Sequence, residues 1–323
     1  MRLLVTGGAG FIGRNFLQSL PADWEVCAPY RSGEDFITFL RSQVVAQVTA
    51  VMVDLADPDA LARVGAHDAH WDACVYLAAN GDPAVSVREP LKDLSSNAVA
   101  LVNVLERFQF TRLVFFSSGA VYDRLRGGIS PSSPVAPTLP YAISKFAAER
   151  YLHHFWESGR MEKMWVVRFF GAYGPYEPAR KIYGRLVRQF ALDRNPRFTV
   201  RGDGRNLVDA MYVDDAVRAI HLLLGSGQRG GVVDLSSHAP ISLATLVNRA
   251  AGAFGLRAEI TFEGRVPEYI QFHSIDFSMR DQVGFVPTTD LESGLAKFAE
   301  YLGAARPHAA HRQMETRAAV TSK

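Results

Sequence analysis

The run Val5-Thr6-Gly7-Gly8-Ala9-Gly10-Phe11-Ile12-Gly13 follows directly on the apolar residues 3–6 and leads into helical spacing that opens near Gly13. Glycines at this interval permit a tight turn and let backbone come close to an anionic ligand. The free N–H groups and positive dipole end of the helix then face that anion. Placed between a strand and a helix, the motif predicts a dinucleotide pyrophosphate at the start of the first helix, with Gly7, Gly10, Phe11, Ile12 and Gly13 as candidate contacts. The bland alternative is a glycine-rich turn that holds nothing.

Short apolar runs rich in β-branched and aromatic residues recur at 3–6, 25–28, 51–53, 74–77, 113–116 and 165–169 and read as buried strands. Helical spacing at 91–108 and 141–156 alternates with them. This predicts an α/β fold: a doubly wound parallel sheet with helices on both faces. Beyond Gly174-Pro175 the pattern loosens into helix-like segments at 181–192, 213–224, 241–254 and 291–302, joined by loops rich in Gly and Pro. The expected organisation is a dinucleotide-binding domain over 1–175, a smaller C-terminal substrate domain over 176–305 and a disordered tail over 306–323. An apolar run at 231–235 can return to the first sheet.

Lys+Arg of 35 against Asp+Glu of 33 nearly cancel, and no basic block could follow a phosphate backbone, so nucleic acid is not an expected partner. Cys27 and Cys74 both sit in strand-like apolar runs and read as reduced core residues. No His, Cys or carboxylate grouping has metal-ligand spacing; His153-His154 reads as a helix surface feature, and His67 and His70 lie in a loop-like stretch. The first apolar run is broken by glycines and cannot serve as a signal-peptide core. No run is long enough to span a bilayer, and a cytoplasmic location is the expectation.

After the second strand, where an acidic residue would bind the adenosine ribose, the chain reads Ala28-Pro29-Tyr30-Arg31-Ser32. Arg31 and Ser32 can instead receive a ribose 2′-phosphate. This slightly favours NADP over NAD, against the reading of an ordinary surface arginine. Asp54-Leu55 follow the third strand, and a bare Asp there is equally a turn residue.

Tyr141 and Lys145 lie four apart after Pro140, a residue suited to a helix's first turn, so both share one face. They follow a strand ending in Phe116-Ser117-Ser118-Gly119-Ala120-Val121-Tyr122, where a parallel sheet presents side chains to a ligand. Moving a hydride to or from an alcohol carbon requires a proton to leave or reach the oxygen. A tyrosine acting as base near neutrality needs a shift of about three units, roughly 4 kcal/mol. A cation at about 4 Å in an effective dielectric near 20 supplies that much, and Lys145 is placed to be it. Ser118 is the candidate for holding the substrate oxygen, with Ser117 as fallback.

Thr6 to Gly13, Leu77-Ala78-Ala79, the Ser117 to Tyr122 stretch, Tyr141/Lys145, Arg168 to Pro175 and Tyr212 to Asp215 together resemble the NAD(P)-dependent epimerase/dehydratase family of extended short-chain dehydrogenases/reductases. The resemblance runs along most of the chain in the family's order. It implies a Rossmann domain, a sugar-nucleotide domain and a homodimer through helices 91–108 and 141–156. It also implies Asp54 and Leu55 near the adenine, Leu77, Ala78 and Ala79 along the dinucleotide, and Lys145 at the nicotinamide ribose. Two departures fall where the family holds the diphosphate: Gly171 stands at the usual asparagine and Val208 at the usual arginine. Arg180, Lys181, Arg201 and Arg205 are candidates for a replacement clamp, against the reading of solvated surface charges. Asp214 and Asp215 read as helix caps.

Related 4,6-dehydratases carry an Asp-Glu pair directly after the catalytic hydroxyl residue. Here those positions are Gly119 and Ala120, which transfer no proton. The expected reaction is therefore C4 epimerisation of a nucleotide sugar through a transient 4-ketone. The alternatives are an NADPH-dependent 4-ketoreductase, a reductase of a non-nucleotide carbonyl compound, and a non-catalytic dinucleotide sensor.

Overall fold

Leu3 and Val5 enter one apolar layer and Leu4 the other; Val114 and Phe116 likewise oppose Leu113 and Phe115. Strands buried on both faces belong inside a sheet covered twice. The computed structural model describes residues 1–33, 35–264 and 270–303. In it, β1 (Arg2–Thr6), β2 (Glu25–Tyr30), β3 (Gln47–Met52), β4 (Ala69–Tyr76), β5 (Phe108–Phe116), β6 (Met161–Phe169) and β7 (Gly230–Leu235) form one sheet in the order 3-2-1-4-5-6-7. Every pairing in it is parallel. The order reverses between β1 and β4, which opens a crevice at the strands' C-terminal ends.

Helices Phe11–Gln18, Phe36–Gln43 and Val213–Gly225 cover one face through Phe16, Leu17, Phe36, Phe39, Ala216 and Ile220. Ala100–Arg107 and Pro140–Glu157 cover the other through Leu101, Val104, Leu105, Ala148 and Leu152. A separate core around Tyr173, Leu186, Phe190, Phe198, Leu246 and Phe298 joins helices Ile182–Val187, Leu243–Ala253 and Leu291–Tyr301 to the parallel strand pair Arg197–Arg201 and Glu259–Glu263.

Several local expectations are corrected. The first helix starts at Phe11, not near Gly13, because Gly10 is already the extended cap residue and its carbonyl accepts from Arg14 N–H at 2.9 Å. The strand expected at 51–53 instead runs over Gln47–Met52, an edge strand in whose first half Gln47 and Thr49 alternate with Val48 and Ala50, so no apolar run marks its start. The helix expected over 91–108 is Pro90–Leu94, a π turn at Ser95–Val99, then Ala100–Arg107; Phe108 already belongs to β5. Asp214 and Asp215 do not cap the following helix, which starts at Val213 and contains both. Asp215 instead accepts from Thr288 N–H (3.1 Å), Thr288 hydroxyl (2.9 Å) and Thr289 N–H (3.0 Å), tying down a distant segment. The tail expected over 306–323 lies outside the described residues.

Candidate active site

The glycine turn is shaped by backbone contact. Gly7 has φ +72°, and a Cβ there would lie 2.7 Å from Ala78 N and Leu77 C; one on Gly13 would lie 2.3 Å from the Gly7 carbonyl oxygen. Thr6 fastens the opposite wall, its hydroxyl accepting from Ala78 N–H at 3.2 Å. The resulting crevice is lined by Gly7, Gly10, Arg31, Ser32, Asp54, Leu55, Leu77, Ala78 and Ala79, each singled out in the sequence. A dinucleotide fits such a cradle, because side chains are missing where a pyrophosphate needs backbone and the N–H groups of the first helical turn have no partner within the helix. Phe11 and Ile12 supply that turn while packing against the sheet core, and Gly13 is buried beneath it. Arg31 lies 3.7 Å from Asp54, both side chains about half exposed, so the crevice end holds a cation and an acceptor together. Ser96 and Ala100 also line the crevice and escaped the sequence reading. Ser96 sits in the π turn and Ala100 at the start of the helix that follows it, a break that no local composition announces.

Beside the crevice, Asp123 accepts from Thr138 N–H (3.0 Å), Thr138 hydroxyl (2.7 Å) and Leu139 N–H (3.2 Å), and Pro140 then opens an 18-residue helix. This fixes where Tyr141 stands at the end of β5. The Tyr141 hydroxyl is hydrogen-bonded to the Ser118 side chain, whose oxygen also accepts from Ala120 N–H at 3.1 Å. Lys145 is 2% exposed; its ammonium donates to the Phe116 carbonyl at 2.5 Å and stands 4.3 Å from the Phe115 ring centre. Ser118, Tyr141 and Lys145 thus meet at one strand end.

Two expectations change here. Ser117 is not a spare substrate hydroxyl: it is buried and donates to Glu149. The charge logic also differs. Burial raises the Tyr141 hydroxyl above the ordinary tyrosine value, Ser118 pulls it down and Asp93 pushes it up. Lys145 is itself drawn down to about 7 by burial, with Glu149 and then Asp93 drawing it back up. A buried ammonium near half protonation at neutral pH is a weaker activator than the full charge assumed from spacing.

Glu149, unremarked in the sequence, anchors this corner. It pairs with Arg168 at 2.8 Å, both side chains 5% exposed. Arg168 continues to the Tyr122 hydroxyl (3.1 Å), and Tyr122 donates to Asp234 at 2.7 Å. Glu149 lies four residues past Lys145 on the same helix face, the one signal that could have found it. Burial raises the Asp234 carboxyl to about 7.

The proposed clamp is divided. Arg180 pairs with Asp82 at 3.3 Å beside the loop that follows β4. Lys181 is lowered by burial and by Arg180's charge, while burial lifts neighbouring Glu177 to about 7. Arg201 and Arg205 stand instead on the second core's segments, Arg205 paired locally with Asp203 at 3.8 Å. Gly171 adopts φ +128°, and its carbonyl accepts from Met211 N–H at 3.1 Å. That backbone conformation suits glycine and not an asparagine. Val208 pairs with Ile241 in a short antiparallel ladder.

A model of the NAD dependent epimerase/dehydratase family matches residues 3–235. The chain belongs to that family. Among curated relatives it is 30% identical over 251 residues to a dTDP-glucose 4,6-dehydratase of Mycobacterium tuberculosis, covering 73% of this chain and 72% of that one. It is 24% identical over 309 residues to a putative UDP-glucose 4-epimerase of Methanocaldococcus jannaschii, covering 93% and 98%. Among solved structures it resembles MoeE5 in complex with UDP-glucose and NAD, with TM-score 0.80, 26% identity and coverage of 94% and 98%. This member of the epimerase/dehydratase family is an NAD(P)-dependent, sugar-modifying enzyme of the extended short-chain dehydrogenase/reductase type. Among its described residues no helix is long and apolar enough to cross a membrane.

Proposed function

We propose that the protein is a nucleotide-sugar C4 epimerase and not a 4,6-dehydratase. The observation that carries this reading is the pair Gly119-Ala120 directly after Ser118, two positions packed near the Phe170 ring that hold neither an acid nor a base. Elimination of water needs a further acid and base, whereas epimerisation needs only the proton carried at Tyr141. Bound NAD(P) would accept a hydride at C4 and give it back. Ser118 would hold the C4 oxygen against Tyr141, Tyr141 would take and return its proton, and Lys145 would bias that proton's affinity.

Arg31 favours a second reading, an NADPH-dependent 4-ketoreductase, since its guanidinium lines the crevice where a 2′-phosphate would lie. Asp54 opposite offers an acceptor to ribose hydroxyls and repels that phosphate, so the balance of this pair sets the preference, with NADP slightly favoured. Arg180 and Lys181 are the candidate diphosphate contacts. The division into a dinucleotide-binding part and a substrate-binding part is proposed on the same grounds. A homodimer is proposed through the adjoining helices that expose Val87, Leu91, Leu94, Ile143 and Tyr151. Free, buried Cys27 and Cys74 fit a reducing, cytoplasmic setting.

The test incubates the protein with UDP-, GDP-, CDP- and dTDP-hexoses without added cofactor, and with 4-keto sugars plus NADPH. Interconversion of C4 epimers without net NADH absorbance supports the epimerase. NADPH loss confined to the keto sugar supports the reductase, and a 4-keto-6-deoxy product from a hexose refutes both.

A further inference from the structure

Asp93 is a carboxylate with no exposed surface, in a helix outside the Ser118, Tyr141, Lys145 constellation. One of its oxygens accepts from Asn80 Nδ2 at 2.7 Å and from Asn97 Nδ2 at 3.0 Å; the other accepts from the Ser144 hydroxyl at 2.5 Å. Its donors come from three places. Asn80 adjoins Leu77, Ala78 and Ala79 of the crevice wall. Asn97 lies in the π turn that contributes Ser96 to that crevice, and Ser144 precedes Lys145 on the Tyr141 helix. Asn97 also accepts from Asn80 N–H at 2.7 Å and donates to the Ser144 hydroxyl at 2.9 Å, so the cluster is closed. A buried carboxylate that accepts three hydrogen bonds holds its donors rigidly.

Resting on the site reading above, we propose that Asp93 is a positioning residue that locks the Tyr141/Lys145 helix to the dinucleotide crevice and places a fixed negative charge behind the pair. Glu89 pairs with Lys92 at the surface and Asp82 faces Arg180. Glu149, although paired with Arg168, raises Lys145 ahead of Asp93, whereas at Tyr141 the charge that pushes the hydroxyl up is that of Asp93.

Asp93→Asn separates charge from clamp, because its oxygen can take the two amide donors and its NH2 can face the Ser144 hydroxyl. Asp93→Leu removes both. The titration of Tyr141 is read as tyrosinate absorbance with and without Asp93→Asn, each minus its Tyr141→Phe counterpart, and dinucleotide affinity by NADH fluorescence. In Asp93→Asn the Tyr141 midpoint should fall by about one unit while NADH affinity stays within twofold. In Asp93→Leu, NADH affinity should fall tenfold or more. An unmoved midpoint in Asp93→Asn overturns the electrostatic role, and unchanged NADH affinity in a folded Asp93→Leu overturns the clamp. Turnover surviving in Tyr141→Phe sinks the site reading itself, a different result from either.

Discussion

Replacing Glu149 by leucine should strip the catalytic corner of its main support. Arg168 would lose Nε contacts of 3.2 Å to both carboxylate oxygens and the 2.8 Å contact from Nη2. Its guanidinium would be left 4% exposed with the Tyr122 hydroxyl at 3.1 Å and the Pro131 carbonyl at 3.5 Å. Breaking a buried pair from one side typically costs about 3–5 kcal/mol, because the remaining charge is uncompensated. At roughly 1.5 °C per kcal/mol for a chain of this length, the thermal midpoint should drop by about 4–8 °C. Replacing both partners by leucine removes the stranded charge, so Glu149→Leu/Arg168→Leu should recover most of the loss. Thermal and urea unfolding followed by circular dichroism measure all three proteins. The reasoning fails if the single variant lies within 1 kcal/mol of the parent, an order-of-magnitude threshold set by exposed pairs, or if the double variant is no more stable than the single one. Lys145 would also lose its foremost electrostatic support and be more fully neutral at pH 7.

Four further outcomes are expected. Tyr141→Phe keeps the ring packing, so NADH should still bind while turnover falls about 100-fold or more; near-normal turnover would contradict the site. Arg31→Ala should weaken NADPH about tenfold, the loss of one charge-assisted contact, and leave NADH nearly unchanged; equal losses for both cofactors would refute a phosphate role. Glu177 is raised from 4.5 to about 7 by burial, so the unfolded chain ionises it first and its folded-state advantage, complete below pH 4.5, is lost as pH rises through 7. Glu177→Gln should therefore leave thermal stability unchanged in acid and raise it above pH 7 by at most about 3 kcal/mol, less after solvent screening; an equal gain at every pH would rule out titration as the cause. Leu91→Glu places a charge at a side chain 78% exposed, and light scattering should show a dimer becoming monomer; an unaltered mass would place any interface elsewhere.

Much of the site was legible because it is local. The crevice residues Gly7, Gly10, Arg31, Ser32, Asp54, Leu55, Leu77, Ala78 and Ala79 all lie at or just past strand ends, and apolar runs mark those ends. Tyr141 and Lys145 needed only helical period, which Pro140 and the chain after it supply. The sequence also carries the absence of acids at Gly119 and Ala120, a statement about residue types and not about shape.

What needed the tertiary structure was every effect set by burial or by distant partners. Spacing put Lys145 near Tyr141, but the drop of its pKa to about 7 comes from packing among strands and helices far apart in the chain. Ser117 and Ser118 are adjacent and chemically identical, and only Glu149, 32 residues from Ser117, separates their roles. Asp93, Asn80 and Ser144 read singly as ordinary polar residues; their convergence on one buried carboxylate depends on three segments meeting. Arg180 and Arg205 look alike as loop cations, yet one meets Asp82 beside the crevice and the other Asp203 on the second core. Periodicity and turn chemistry are properties of neighbours along the chain, so the sequence determined the fold class and the cofactor cradle. Desolvation and Coulomb interaction depend on distance in space, so the protonation and division of labour at the site were decided by the fold.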